Sequence, residues 1–257
     1  MIIASHKFLQ SRNDTTSLGM LFVVSEETGG TGMKAFAQYA SNTTFRAGIF
    51  GEPTEGKLAS GHKGSFGVTL KAVGKSAHSA YPWLGASAIN YIVDAIHALN
   101  ALEPALPRSE LLGTTTLNTG LISGGLAGNV VPPNANASVF VRVARSEEDA
   151  ADVVKEMVSG MLAPIVSRAK EANGTFEFTY SEIAHIAQVL DTDIEGLEVA
   201  PVFYGTDIPN LPQVEKRYLF GTGTIEVAHT PNEMLSQEQL VQAAEAYGMI
   251  LQKLFAE

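Results

Sequence analysis

The hydrophobic pattern changes twice along the chain, and these changes constrain the fold more than any other feature. Residues 18–27 are a continuous apolar run that ends in carboxylates, which is typical of a strand buried on both faces. From about residue 60 to about residue 182, strand-like segments instead alternate apolar and polar residues. Short continuous apolar runs then return. We therefore expect one α/β domain in two pieces, with a second domain inserted between them.

The inserted segment, residues 60–182, has elements in the order β-α-β-β-α-β. Residues 64–74 alternate as a half-exposed strand does, and residues 88–99 place four apolar side chains on one helical stripe. Two strands follow, at residues 114–125 and 137–144. A helix is then expected from Ser146, and a last strand at residues 175–182. This order predicts a ferredoxin-like sandwich.

The outer pieces, residues 1–59 and 183–257, predict a partial α/β layer with a mixed or parallel sheet. In the first piece, two apolar runs flank a segment of helical spacing, so a strand–helix–strand unit is expected. In the second piece, short strands are expected at residues 197–204 and 217–220. Ser236 and Gln239 then form a capping box that begins the last helix.

Charge and composition exclude several classes of function. The net charge of -10 argues against nucleic acid and anionic membranes as partners, because both would repel the chain. No apolar run approaches the ~20 residues of a membrane span, and residues 1–10 are too short and too polar for a signal peptide. Cysteine is absent. Any metal must therefore be bound by His, Asp and Glu.

Four Asn-x-Ser/Thr sequons exceed the number that chance would place in a chain of this composition, and they begin at Asn13, Asn42, Asn136 and Asn173. This excess favours a secreted glycoprotein as the full-length parent. A cytoplasmic location remains the alternative.

Acidic and imidazole donors follow three of the apolar runs. Glu26 and Glu27 precede a glycine turn, Glu52 precedes a proline, and His229 follows a further apolar stretch. Open α/β sheets bind ligands beyond the carboxyl ends of their strands, where such donors suit a cation such as zinc. Taken singly, each has an ordinary alternative: a solvated acidic pair, a turn cap and a hydrogen-bonded structural histidine.

Three polar residues of the inserted segment could carry chemistry, although none is convincing singly. His78 lies just ahead of the segment's first helix, Asn129 lies in a glycine-rich loop, and Arg142 lies in a strand. A guanidinium suits a carboxylate ligand, although an arginine in a strand is usually a surface residue.

Six motifs in order carry a resemblance that covers the chain from about Leu18 to its end. They are VSEETGG, GEPTEGKLASGHKG, GKSAHSAYPWLGASAIN, GGLAGNVVPPNA, YGTDIPNL and GTIEVAHTPNE. The series resembles the zinc-dependent family of acetylornithine deacetylase, succinyl-diaminopimelate desuccinylase, aminoacylase-1 and bacterial glutamate carboxypeptidase. The resemblance implies a zinc-exopeptidase-like catalytic domain, two zinc ions per active site, and a substrate that is a small N-acylated amino acid or a peptide.

The resemblance also implies roles for the acidic and imidazole donors. Glu26 would be the general base that takes a proton from a metal-activated water. Glu27 and His229 would bind one zinc ion, and Glu52 would bind the other.

Further roles implied by the resemblance concern substrate and subunits. His78 would reach the active site of a partner subunit, because the inserted domain would form a homodimer. Asn129 and Arg142 would bind substrate, and Gly205 and Thr206 would shape the pocket.

Two ligands that the resemblance requires do not have a counterpart. The family carries a His-x-Asp motif and a bridging aspartate ahead of the position of Glu26. This chain has only His6 and Asp14 there, and His6 is followed by Lys7 and Phe8. Neither zinc would then have the three protein ligands usual at a catalytic site. We therefore expect a hydrolase that is inactive as this short chain, with a non-catalytic dimerisation and metal-binding remnant as the alternative.

Overall fold

A computed structural model describes residues 1–12, 18–182 and 184–256. The sequon at Asn13 and the carboxylate of Asp14 lie outside the described residues. The chain forms two compact units. Unit 1 comprises Met1–His62, Gln188–Val202 and Thr206–Glu257, and unit 2 comprises Lys63–Ala187 and Phe203–Gly205.

The regular elements follow one another in chain order. The α-helices are α1 (Ile2–Gln10), α2 (Thr31–Tyr39), α3 (Ala88–Leu102), α4 (Ala150–Glu171) and α5 (Gln237–Leu254). The strands are β1 (Phe45–Phe50), β2 (Leu58–Ala59), β3 (Gly61–His62), β4 (Gly64–Val73), β5 (Arg108–Ser109), β6 (Gly113–Thr114), β7 (Thr116–Gly124), β8 (Asn134–Val143), β9 (Thr175–Tyr180), β10 (Gln188–Val189), β11 (Val199–Ala200) and β12 (Val214–Leu219). Within the described part, no helix has the length and apolar character needed to cross a membrane.

Unit 2 contains a four-stranded antiparallel sheet in the order β7-β8-β4-β9. Together with α3 and α4, this sheet confirms the predicted ferredoxin-like arrangement. Alternate residues of β4, such as Phe66, Val68 and Leu70, are buried, and they share one hydrophobic core with both helices. The period-2 pattern of the sequence thus covers one face of the sheet with helices and leaves the other face more exposed.

Unit 1 is built from shorter pairs of strands. β1 and β12 are parallel, as the apolar runs predicted, with Phe45 opposite Val214 and Phe50 opposite Leu219. Ser236 and Gln239 form the predicted capping box, in which each side chain bonds the other residue's backbone N–H. The helix that it begins, α5, shares a buried core with α1.

The strand predicted at residues 18–27 is wrong. The chain is irregular from Leu18 to Ser25 and then forms a 3₁₀ turn, Glu26–Thr28. Phe22 and Val24 are each 71% exposed. A strand exists only when a neighbouring strand pairs with its backbone. Among the described strands, β1 pairs with β12 alone, and this apolar segment has no partner.

Candidate functional site

The turn that carries Glu26 and Glu27 is held in an unusual backbone conformation. Ser25, directly before it, has φ 61°, in the left-handed region that few residues other than glycine adopt. The amide of Gly30 donates to the carbonyl oxygen of Ser25 at 2.8 Å, which closes the turn around both glutamates. Strained backbone of this kind concentrates at functional sites. Here it fixes the direction in which the two carboxylates leave the chain.

His229 contacts Glu27 across 202 residues of sequence. Its Nε2 lies 2.8 Å from Glu27 Oε1. His229 also has a positive φ, 61°, and its amide donates to Glu233 Oε2 at 3.1 Å. The hydrogen bond and the negative charge of Glu27 raise the pKa of His229. The loop that contains the histidine is therefore arranged so that the ring faces a carboxylate.

The Glu27–His229 pair fits part of a zinc site. Two ligands of one tetrahedral zinc at about 2.0–2.2 Å lie roughly 3.3–3.6 Å apart, so a small separation of the two side chains would admit an ion. Within the described ranges, however, no group of three or more His, Asp or Glu side chains is arranged to bind a metal. The described residues therefore place two candidate ligands together and do not complete a catalytic zinc site.

Glu52 lies two residues beyond the end of β1, beside the same carboxylates. Burial, together with the negative charges of Glu26, Glu27 and Asp207, raises its pKa to about 7. Glu52 lines a cavity of about 550 Å³ together with Tyr247 and other residues of unit 1. A half-buried carboxylate among like charges is the environment that a bound cation would relieve.

Two residues of this region were not predicted from the sequence. Asp207 is buried. The pKa of Glu26 is raised first by the burial of Glu26 and next by the negative charge of Asp207. Tyr247 donates a hydrogen bond to the carbonyl oxygen of Phe220 at 2.6 Å, and burial raises its pKa to about 12. Asp207 lies inside the YGTDIPNL motif, which was the available signal. Tyr247 had only its place on the buried stripe of the last helix.

In unit 2, the structure brings together the loops of His78 and Asn129. The amide of Ser79 donates to the carbonyl oxygen of Asn129 at 3.0 Å, and His78 forms a β-bridge with Val130. His78 Nδ1 accepts a hydrogen bond from the amide of Ala80 at 3.1 Å. In the neutral ring this acceptor role leaves the proton on Nε2, which can donate to a substrate oxygen.

Arg142 lies elsewhere in unit 2, next to Gly205. A Cβ added to Gly205 would lie 3.1 Å from a guanidinium nitrogen of Arg142. Burial lowers the pKa of Arg142, and its guanidinium stacks on the ring of Phe140 at 4.7 Å. Among the described residues, no hydrogen bond or ion pair involves the guanidinium of Arg142. A half-buried guanidinium without a counter-ion suits an anionic ligand. Thr206, by contrast, belongs to unit 1, where its hydroxyl lies 3.1 Å from His62 Nε2.

The two groups of candidate substrate residues lie at opposite ends of one sheet. Arg142 is opposite Ser65, at the start of β4, whereas the loops of His78 and Asn129 extend beyond the other end, where Val73 is opposite Asn134. Eight residues of strand separate positions 134 and 142, which corresponds to roughly 27 Å. Within one chain, therefore, these residues do not line a common pocket.

Comparison with known proteins gives a family model and several relatives. The family model of a peptidase dimerisation domain matches residues 60–165. A probable carboxypeptidase of Aspergillus terreus is 42% identical over 263 residues, covering 94% of this chain and 58% of the relative. A probable carboxypeptidase of Ajellomyces capsulatus is 44% identical, covering 98% and 60%. The chain thus spans about three fifths of the length of these curated relatives.

Solved structures show a similar fold. A tripeptidase of Staphylococcus aureus matches with a TM-score of 0.71 and 20% identity, over 91% of this chain and 63% of that protein. An aminopeptidase of Bacillus cereus matches with a TM-score of 0.68 and 22% identity, over 90% and 63%. At this identity the likeness concerns the fold alone.

Proposed function

Because the chain belongs to the metallopeptidase and amidohydrolase family, we propose that it supplies most of the active site of a metal-dependent hydrolase of peptide or amide bonds. A carboxypeptidase is favoured within that class, since the curated relatives carry that name. The observation that carries the proposal is the Glu27–His229 contact, which joins distant segments beside Glu26. Ser25, just before the turn of Glu27, and His229 both have a positive φ, and strained backbone of this kind supports a functional role for their contact.

The proposed mechanism assigns one task to each group. When bound, zinc would supply Lewis-acid activation of water and of the substrate carbonyl. Glu27 and His229 would hold one ion, and Glu52 would contribute to the second. Glu26, whose pKa is raised by burial and by Asp207, would accept the proton of the attacking water and pass it to the leaving amine.

Binding of the substrate would involve unit 2. Arg142 would bind the terminal carboxylate of the substrate through its guanidinium, beside Gly205. His78 would donate from Nε2 to the scissile carbonyl, with Asn129 adjacent. Gly205 and Thr206 would shape the pocket, as the resemblance implies. Since His78 and Arg142 lie at opposite ends of one sheet, they would serve different active sites of a homodimer.

The alternative function is a non-catalytic dimerisation and metal-binding protein. The observation that favours it is the donor count, because the described residues do not assemble three ligands around one point. For the same reason, we propose that these 257 residues alone have little or no hydrolytic activity.

One experiment separates these functions. The chain alone is compared with a fusion that adds the part of the Aspergillus terreus relative outside the matched region, using release of a C-terminal amino acid from N-acylated dipeptides. We expect turnover by the fusion only, and its loss on Glu26→Gln. A fusion that folds and binds two zinc ions but does not turn over would support the non-catalytic alternative. Turnover by the chain alone would contradict the proposed inactivity.

A second experiment tests the metal ligands independently of activity. Zinc is titrated into the chain and into His229→Ala, with His97→Ala as the matched control on α3 of unit 2. We expect the affinity to fall at least tenfold for His229→Ala, since half of the two-ligand site is removed, and to stay unchanged for His97→Ala. Equal affinity in all three proteins would disprove the Glu27–His229 zinc site.

We also propose a homodimer formed through unit 2, in keeping with the matched dimerisation domain. Among the described strands, β7 pairs only with β8, so it is an edge strand, and it exposes Leu121 and Ile122. Analytical ultracentrifugation of the wild type and of Leu121→Lys tests this: we expect a dimer and a monomer, respectively. A monomeric wild type would reject it.

Secretion and glycosylation are proposed for the full-length protein from its sequons. Asn42 and Asn173 lie in exposed turns, and Asn136 is an exposed residue of β8. Mass spectrometry after enzymatic release of N-glycans from protein made in a secretory host would detect deamidated asparagines at occupied sites. Unmodified Asn42 and Asn173 would contradict the proposal.

A further inference from the structure

Asp207 is a buried carboxylate of unit 1 to which no role has been assigned. It is only 6% exposed. Its Oδ1 accepts a hydrogen bond from Asn210 Nδ2 at 2.7 Å, and the amide of Asn210 donates to the carbonyl oxygen of Asp207 at 2.9 Å. Its Oδ2 has no hydrogen-bond partner among the described residues. A buried carboxylate oxygen without a partner costs free energy, so its retention needs a reason.

The Asp207–Asn210 pair lies directly against Gly30. A Cβ added to Gly30 would overlap both Asp207 Oδ1 and Asn210 Nδ2. Gly30 also has φ 67°, so glycine is required there for space and for backbone conformation. The pair thus lies against the backbone of the N-cap residue of α2, where the helix dipole favours a carboxylate.

Gly30 in turn closes the loop that carries the proposed base and ligand. Its amide donates to Ser25 at 2.8 Å across Glu26 and Glu27, and its carbonyl accepts from the amide of Lys34 at 3.0 Å. Any displacement of Gly30 would therefore turn the carboxylates of Glu26 and Glu27. The position of the loop depends on what packs against Gly30.

We propose that Asp207, together with Asn210, is a positioning residue that holds Gly30 and thereby orients Glu26 and Glu27 toward His229. The inference rests on the proposed function, because it gives Asp207 a role through those residues. Asp207 itself touches neither substrate nor metal in this role. Asn210 fixes Asp207 Oδ1 through a hydrogen bond, and the packing of Asp207 against Gly30 fixes the turn.

The first test measures the turn directly. Amide hydrogen exchange of Gly30, Gly32 and Lys34 is compared between the wild type, Asp207→Ala and a control, Asp191→Ala. Asp191 is also partly buried, and it accepts from the amide of Arg217 at 2.7 Å. We expect exchange of these three amides, which lie in the turn and the first turn of α2, to become at least about tenfold faster in Asp207→Ala alone, through local opening. Equal protection in all three proteins overturns the proposal.

A conservative variant separates positioning from charge. Asp207→Asn keeps the side-chain oxygen that accepts from Asn210, so the turn should keep its protection. Loss of protection in Asp207→Asn would show that packing against Gly30 does not hold the turn and would overturn the proposal. Should Asp207→Ala fail to fold, Asn210→Ala replaces it, because it removes the other half of the pair, and faster exchange of the same amides is expected.

A double-mutant cycle tests the contact with Gly30. Gly30→Ala should lower the melting temperature, because the new methyl group overlaps Asp207. In the Asp207→Ala background the same substitution should lower it less, since part of the overlap is gone. Losses that add in full would show that the two residues do not interact and would overturn the proposal.

Zinc affinity provides the readout that a purely structural role would not move. We expect Asp207→Ala to bind zinc about 10–100-fold more weakly than the wild type, and Asp191→Ala to bind it equally well. If His229→Ala binds zinc more weakly than the wild type but Asp207→Ala does not, only the role of Asp207 is disproved. If His229→Ala binds zinc as the wild type does, the proposed metal site fails instead.

Discussion

The two units differ in how completely their sheets are built. Unit 2 has one four-stranded antiparallel sheet whose buried face shares a single core with α3 and α4. In unit 1, the described strands form three separate pairs, and the buried apolar residues fall into several smaller clusters. Unit 1 also exposes Phe22 and Val24. The candidate base and the candidate metal ligands all belong to unit 1: Glu26, Glu27, Glu52 and His229.

This difference links stability to function. Alternating strands joined in one sheet give unit 2 a continuous core, which resists local opening. In unit 1, Glu27 and His229 meet on turns with strained backbone and little burial. Segments of low local stability can adjust around a ligand, and here they carry the candidate site. The predictions below test the contrast, beginning with the largest expected effect.

A substitution that creates a cavity in the core of unit 2 should reduce stability most. Leu162 of α4 is fully buried, so Leu162→Ala should destabilise the unit by about 2–5 kcal/mol. Hydrogen exchange of the β8 amides during urea titration measures this loss. Val153→Ala, on an exposed position of the same helix, is the control and should cost far less. Equal effects would mean that the helix does not pack as described.

Removal of a helix cap in unit 1 should have a smaller effect. Ser236→Ala abolishes the capping box of α5 and should cost about 0.5–2 kcal/mol. Ser236→Thr, which keeps a hydroxyl acceptor, should recover most of this loss. Exchange of α5 amides reports the change, and unaltered β8 amides would sharpen the separation of the two units. A matching loss in β8 would contradict it.

A hydrogen-bonded carboxylate of unit 1 should give a small, pH-dependent effect. Asp193 accepts hydrogen bonds from the hydroxyl of Tyr218 at 2.6 Å and from the ammonium of Lys216 at 2.9 Å, and these bonds lower the pKa of Asp193. Because the folded pKa is below the unfolded one, the stabilisation is present above the unfolded pKa and is lost as the pH falls through the folded pKa. Asp193→Asn should therefore cost less than about 1 kcal/mol at pH 7, after solvent screening.

Urea unfolding of the wild type and Asp193→Asn at a series of pH values measures this difference. It should shrink as the pH falls below about 4. A difference that is constant with pH would show that the charge of Asp193 contributes nothing.

An exposed apolar residue should matter least for stability. Phe22→Ser should change the free energy of unfolding by no more than about 0.5 kcal/mol, since the ring is 71% exposed. It should nonetheless reduce association at high concentration, because an exposed apolar segment promotes contact between molecules. Light scattering and urea unfolding measure the two effects. A large loss of stability would show that residues 18–24 are packed in solution.

Much of unit 2 could be predicted from the sequence because its signals are local. The period-2 pattern of residues 64–74 and the stripe of residues 88–99 predicted β4 and α3 closely. The helix predicted to begin at Ser146 is present, but it begins four residues later, at Ala150. In unit 1 the capping box and the parallel strands were also predicted. Residues 18–27 were not, because an apolar run has the same pattern whether or not a strand is available to pair with it.

The candidate site divides in the same way. Glu26, Glu27, Glu52 and His229 were identified by residue type, by position after apolar runs and by the order of motifs. Asp207 was missed, although it lies in one of those motifs, because burial and a neighbouring glycine backbone are properties that no spacing encodes.

The sequence by itself determined which elements form in unit 2 and which residue types could bind a metal, since periodicity, capping and side-chain chemistry are local properties. Only the tertiary structure decided that His229 meets Glu27, that Asp207 packs against Gly30, and that Arg142 lies at the other end of the sheet from His78 and Asn129. Those relations depend on how strands pair and on which backbone segments approach one another, and a contact across 202 residues leaves no trace in the local pattern.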